Sequence, residues 1–147
     1  MLLKKATVAD IPALLEVEKS VAGNKVYSPI LDKEEWEEEL KKCVVYLIEE
    51  EGRIAGDISY ELKSPEHAYL SGLVVTPQFQ GKGIARAALA QILDQLKDMK
   101  RIDLVTHPDN VAALKLYQSF GFIIETKKED YYGDGESRLI LVRINRS

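Results

Sequence analysis

The stretch Val74-Val75-Thr76-Pro77-Gln78-Phe79-Gln80-Gly81-Lys82-Gly83-Ile84-Ala85 constrains this chain more than any other, because it reads as a strand, a glycine loop and a helix start in direct succession. Leu73, Val74 and Val75 make a short apolar run with β-branched members, the composition of a buried strand. Pro77 ends it. Gly81 and Gly83 let the backbone turn tightly and meet a ligand with no Cβ in the way. From Ile84 onward the apolar residues Ile84, Ala88, Leu89, Ile92, Leu93, Leu96 and Met99 share one helical stripe. Main-chain N–H groups at a helix start have no intrahelical acceptor, and the helix dipole favours negative charge there. The segment therefore reads as an anion site suited to a phosphate or pyrophosphate.

Two common phosphate loops do not fit. A Walker loop needs Gly, four residues, then Gly-Lys-Ser/Thr, which Gly81-Lys82-Gly83-Ile84 does not supply. The dinucleotide fingerprint G-x-G-x-x-G lacks its third glycine, since that place is Arg86. Gln80-Gly81-Lys82-Gly83-Ile84-Ala85 instead resembles the Q/R-x-x-G-x-G/A signature of the GNAT N-acetyltransferase superfamily. Asn110-Val111-Ala112-Ala113-Leu114-Lys115-Leu116-Tyr117-Gln118-Ser119-Phe120-Gly121-Phe122 resembles that family's second signature, N-x-x-A-x-x-x-Y-x-x-x-G-F. The pair is far more specific than either alone. The resemblance runs over nearly the whole chain and is weakest before about Val44.

The resemblance implies an α/β fold of the GNAT type, a single mixed, mostly antiparallel central sheet of about seven strands with about four helices, splayed between the fourth and fifth strands. It also implies acetyl-coenzyme A as co-substrate and no metal. The main chain of Leu73, Val74 and Val75 would lie along the pantetheine arm, with the Val75 N–H toward the thioester oxygen. Gln80, Gly81, Lys82, Gly83, Ile84, Ala85 and Arg86 would surround the pyrophosphate, and Asn110, Ala113 and Tyr117 would touch the coenzyme. For Lys82 and Arg86 simple solvated charge is the competing reading, and for Asn110 a helix cap.

The order of elements agrees. Apolar alternation and turn residues predict strands over residues 2–7, 44–49, 53–62, 67–76, 101–106, 122–128 and 138–144, with a hairpin at Glu51-Gly52. Asp10 is positioned to cap a first helix with Pro12 in its first turn and Ile11, Leu14, Leu15 and Val17 inward. Residues 32–42 read as a highly charged helix with Trp36 and Leu40 inward, and residues 109–120 as a helix ended by Gly121. No repeat or linker interrupts this pattern, so residues 1–147 are expected to form one domain.

Composition removes other classes. Hydrophobic residues at 46% and charged residues at 30% are those of a folded globular chain, and a net charge of −4 opposes nucleic-acid binding. The single cysteine, Cys43, excludes an internal disulfide and a multi-cysteine zinc site; between an acidic helix and an apolar strand it reads as a core thiol. Glu34, Glu35, Glu37, Glu38 and Glu39 read as a solvated face and not as a metal site. No apolar run approaches the ~20 residues of a membrane span, and Met1-Leu2-Leu3-Lys4-Lys5 is too short in apolar residues for a signal peptide. A cytoplasmic monomer or homodimer is expected.

Acetyl transfer to an amine needs a neutral nucleophile, a polarised carbonyl and a proton for the departing thiolate. Tyr117 stands where family members place a phenol beside the coenzyme sulfur, although its spacing from Leu114 and Phe120 also suits a core residue. The final hairpin segment, with Tyr131 and Tyr132, resembles protein N-terminal acetyltransferases of the ribosomal-protein type, in which paired tyrosines close over the peptide. Those relatives carry a Glu or His base at a place that is Val105 here. Tyr69, His107, Glu66 and His67 are the remaining candidates, Tyr69 as a phenol that orders a water. Tyr27 and Tyr131 or Tyr132 are expected to line the acceptor groove; the competing reading is that Tyr131-Tyr132-Gly133-Asp134-Gly135 only shapes a turn. The acceptor is then a peptide N-terminus, a lysine or a small amine. A coenzyme-binding sensor without catalysis is the other reading.

Overall fold

In the computed structural model, which describes residues 1–145, seven strands and four α-helices follow one another as β1 (Leu2–Lys5), α1 (Ile11–Lys19), α2 (Lys33–Lys42), β2 (Val44–Glu50), β3 (Arg53–Ser64), β4 (His67–Val75), α3 (Ile84–Gln95), β5 (Arg101–Thr106), α4 (Val111–Ser119), β6 (Ile123–Lys128) and β7 (Arg138–Ile144). They form one sheet in the order β1-β2-β3-β4-β5-β7-β6. Only the β4/β5 pair is parallel. This is the mixed, mostly antiparallel sheet that the two signatures imply.

Both faces of the sheet are covered, which explains why the central strand β3 is buried without a break from Ala55 to Tyr60. On one face Ile58, Leu70, Ile102 and Leu104 pack against the apolar stripe of α3 and against Tyr117 and Phe122. On the other, Val45 and Leu47 meet Ile11 and Leu14 of α1 and Trp36 of α2. No described helix is long and apolar enough to cross a membrane.

Several strand ends differ from the sequence reading by one or two residues, and three helix boundaries differ as well. Asp10 does not cap α1: a short 3-10 turn, Val8–Asp10, precedes it and Thr7 is the cap. The Thr7 Oγ1 accepts from Ala9 N at 3.3 Å while the Asp10 carboxylate accepts from Thr7 N at 2.9 Å, so acid and hydroxyl exchange bonds as a capping box. The helix α3 stops at Gln95, and Leu96 and Met99 reach the core from the turn that follows. The last helix is shorter than 109–120, because Asn110 caps it and Phe120 already leaves helical geometry.

The feature that makes room for a site is the parting of β4 and β5. They pair from His67/Arg101 to Leu70/Leu104 and no further, although β4 runs on to Val75 and β5 to Thr106. A bulge causes it. Ser59 pairs with Gly72 but Tyr60 with Leu70, so Ser71 is an extra residue in β4. An inserted residue bends the strand and increases its twist, turning the end of β4 away from β5. Gly56 holds the other edge of β4, since a Cβ there would collide with the Val74 carbonyl.

Candidate active site

The cleft between the parted strands is a cavity of about 630 Å³. Its first wall is main chain. Thr76 N donates to the Ala55 carbonyl at 2.8 Å. Such pairs recur every second residue of an antiparallel ladder, so Val74 and Gly72 turn their main-chain groups to β3 and Leu73 and Val75 turn theirs to the cleft. The Val75 carbonyl is taken by Gln80 Nε2 at 2.9 Å, which leaves the Val75 N–H open.

The loop after β4 continues the row of donors. Gln80 N and Ala87 N have main-chain acceptors, but the six N–H groups from Gly81 to Arg86 between them have none among the described residues. Gly81 and Gly83 have φ of +77° and +79°, the left-handed region that other residues enter at a cost. A Cβ at either would meet no atom within 4 Å, so these glycines serve the turn and its open face and not a tight internal contact. This cradle fits a pyrophosphate. Gln80, Gly81, Gly83, Ile84, Ala85 and Arg86 line the cavity, whereas Lys82 does not: its ammonium lies 5.4 Å from the Phe79 ring centroid. Arg86 leans on α4, with Nη2 donating to Ser119 Oγ at 3.1 Å.

On the opposite wall, α4 presents Asn110, Ala113 and Tyr117 to the same cavity. Asn110 Oδ1 accepts from Ala113 N at 3.2 Å, so it acts as the helix cap. Tyr117 is both core and cleft. Its ring meets Phe122 edge-on at 5.7 Å, and its hydroxyl has no hydrogen-bond partner among the described residues. Burial, aided by the neighbouring Tyr27 phenol, pushes its pKa above the ordinary tyrosine value. Tyr27 itself accepts from Gln80 Nε2 at 3.5 Å, where the coenzyme wall meets the loop after α1.

The far half of the cavity is made of side chains. Tyr132 lines it, held by the Arg138 guanidinium 5.1 Å from its ring centroid, and Arg138 in turn donates to Asp134 at 2.9 Å and Ser28 at 3.3 Å. Tyr131 stacks on Tyr132 at 4.8 Å and does not reach the cavity. Gly133 and Gly135 do adopt positive φ, so the segment is a shaped turn and a wall at once. Tyr69 lies behind Tyr132; burial first, then the two neighbouring tyrosines, push its pKa up, away from the range of a base.

The candidate bases fare differently. Val105 lines the cavity with an apolar surface, and Glu66 lies outside it, bound to Lys100 at 3.2 Å. His107 lines the cavity, but Nε2 meets Glu136 at 3.0 Å and Nδ1 accepts from Asp109 N at 3.0 Å, so both ring nitrogens are engaged. His67 is likewise bound, to Asp103 at 2.8 Å. Cys43 is buried, and desolvation pushes its thiol up to about 11, an unreactive core thiol. Among the described residues no group of three or more His, Cys, Asp or Glu is arranged for a metal.

Glu18 and Asp57 were not read from the sequence, and Trp36 was read only as an inward residue; all three line the cavity. Signals existed. Glu18 is the one acid on the inward stripe Leu14, Glu18, Val21, and Asp57 is the one acid inside the buried run of β3.

The profile of the acetyltransferase (GNAT) family matches residues 11–122. The chain belongs to the GNAT family. Among curated members it is 32% identical over 75 residues to the [ribosomal protein bS18]-alanine N-acetyltransferase of Escherichia coli, covering 50% of this chain and 51% of that protein. The match thus spans about half of the relative's length. The crystal structure of the ribosomal-protein-S18-alanine N-acetyltransferase from Escherichia coli superposes with a TM-score of 0.86 at 23% identity, over 99% of this chain and 95% of that one. The structure of the Salmonella typhimurium acetyltransferase yncA with its cofactor acetyl-CoA gives 0.79 at 20% identity, over 100% of this chain and 95% of that one. These structural matches establish the GNAT fold.

Proposed function

We propose that this GNAT protein moves the acetyl group of acetyl-CoA to a primary amine by direct attack in a ternary complex, and that the amine is a peptide N-terminus. One observation carries the reading: free main-chain donors, Val75 and then, past the bonded Thr76 and Gln80, Gly81 to Arg86, border a cleft that the unpartnered Tyr117 also lines. Leu73, Val75 and the 81–86 loop would hold the coenzyme, which supplies an acetyl thioester. The Val75 N–H is aimed at a developing oxyanion from a fixed strand, where it needs no reorganisation. Tyr117 stays protonated through neutral pH because burial disfavours the phenolate, the state required of a group that protonates a departing thiolate.

The acceptor reading is supported by Tyr27 and Tyr132, which bring two distant segments to one cavity, and by the resemblance to an enzyme named for a protein N-terminus. Val105 favours a second reading, binding of acetyl-CoA without turnover, because valine moves no proton. A thiol-release assay with acetyl-CoA and a panel of peptides, lysine-containing peptides and small amines separates the two. Release that depends on a peptide with a free N-terminus is expected. Binding of acetyl-CoA with no release for any amine overturns the transfer reading.

A further inference from the structure

Two carboxyl groups touch inside the acceptor half of the cavity with no cation beside them. Glu18 of α1 is 5% exposed and Asp57 of β3 is 2% exposed, and neither forms an ion pair among the described residues. Glu18 Oε1 accepts from Ile30 N at 3.0 Å; Glu18 Oε2 and Asp57 Oδ2 have no partner. Trp36, 2% exposed and lining the same cavity, leaves its Nε1–H without an acceptor.

Of the cations around the cavity, the two arginines are committed elsewhere, and Lys115 stands on α4. Arg138 is held by Asp134, Ser28 and the Tyr132 ring, and Arg86 by Ser119 and the Phe120 ring. A third acid on this wall, Glu39, is bound to Lys42 at 3.2 Å. Burial first, then the facing carboxyl, push Asp57 well above the ordinary carboxylate value, with Glu18 raised alongside. Buried charge on such a pair is destabilising unless something offsets it. The open valences are two carboxyl oxygens and one N–H donor. A protonated amine with a carbonyl oxygen on the same residue satisfies all three. The position is right for the reaction, because Asp57 is the register partner of Val74, between the two residues whose main chain faces the cleft.

We propose that the Glu18–Asp57 pair is the seat of the acceptor's ammonium group and that, with the Trp36 N–H on the adjacent carbonyl, it selects aminoacyl amides such as peptide N-termini over free α-amino acids. A free amino acid would bring its carboxylate among Glu18, Glu39 and Asp57, with no uncommitted arginine to receive it. The proposal rests on the acetyl-transfer reading for its biological meaning but not for its test.

Glycinamide, glycine and ethylamine are titrated into the protein and followed by NMR, with carboxyl carbon signals as reporters, and the same three are assayed for thiol release. Glycinamide is expected to bind at least about tenfold more tightly than glycine and to move the Glu18 and Asp57 carboxyl signals. Ethylamine, which lacks the carbonyl, should fall between them. Asp57→Asn should weaken glycinamide about tenfold, bring the two affinities together and leave acetyl-CoA binding unchanged. Glu18→Gln gives the same comparison if the first variant does not fold. Equal affinity of the wild type for glycine and glycinamide, unmoved carboxyl signals, or an unchanged preference in a folded variant overturns the proposal. Selective glycinamide binding without thiol release from any amine would instead leave the site standing and sink the transfer reading; release without selectivity does the reverse.

Discussion

The two halves of the cleft are built differently. On the coenzyme side the groups that matter are main chain, supplied by one continuous segment from Leu73 to Arg86 and by the neighbouring α4. On the acceptor side they are side chains from five separate segments: Glu18 on α1, Tyr27 in the following loop, Trp36 on α2, Asp57 on β3 and Tyr132 before β7. A backbone cradle depends on φ angles and tolerates most side-chain changes. A side-chain pocket changes its chemistry with each substitution.

That contrast can be broken at four places. The largest effect is expected at Tyr117, the one side chain the coenzyme half depends on. Tyr117→Phe keeps the ring against Phe122 and deletes the hydroxyl; kcat should fall about 10–1000-fold with acetyl-CoA affinity and melting temperature little changed. Normal turnover with lowered stability would make Tyr117 a core residue only.

Next is the loop. Gly83→Asp places a carboxylate and an unfavourable left-handed φ where six donors converge, and calorimetry should show acetyl-CoA affinity reduced about tenfold or more. Gly83→Ala separates the two causes, because it keeps the strain without the charge. Equal affinities for wild type and both variants would take the loop out of the site.

On the acceptor side, Tyr132→Ala should raise KM for the amine several-fold, to about tenfold, and leave coenzyme binding alone, the pattern of contacts made equally before and during reaction. Tyr131→Ala, whose ring does not reach the cavity, should change KM less. If the two variants behave alike, Tyr132 contributes through the turn and not through the pocket.

The smallest effect is a stability change with an unusual sign. Asp57 binds its proton more tightly in the fold than in the unfolded chain, so stability falls as pH rises from about 4 through the folded-state value. Asp57→Asn removes that loss and should raise the melting temperature by ~2–5 °C at pH 7.5, with the gain vanishing near pH 4. A variant less stable than wild type at pH 7.5 would mean that the carboxylate is offset by a contact within the protein. The coenzyme half should show no such pH dependence.

How far each half was legible follows from its construction. The loop could be read because Gly81 and Gly83, spaced by one, announce a backbone geometry whatever surrounds them. Tyr117 could be placed because it shares a helix with Asn110 and Ala113. Glu18 and Asp57 are 39 positions apart; each lies in an apolar pattern that marks it as inward, but nothing local marks the two as partners. His107 and Glu66 were both candidates as bases in the sequence; Glu136 and Lys100, brought in from elsewhere, together with the nearby Asp109 N–H, show them to be engaged or outside. Asp10 stands at the start of α1 but makes no capping bond to it, because its carboxylate is engaged by Thr7 N three residues earlier.

By itself the sequence determined the seven strands, the four helices and the anion loop, because period-two and period-3.6 burial and glycine's freedom in φ are local properties of the chain. The tertiary structure decided the opening of the sheet and the character of the acceptor half. The opening comes from one extra residue at Ser71, visible only once β3 is paired against β4. The acidic well comes from the packing of α1 over that same face, which brings two carboxyl groups into contact away from water; charge and burial at such a point depend on what arrives from across the fold.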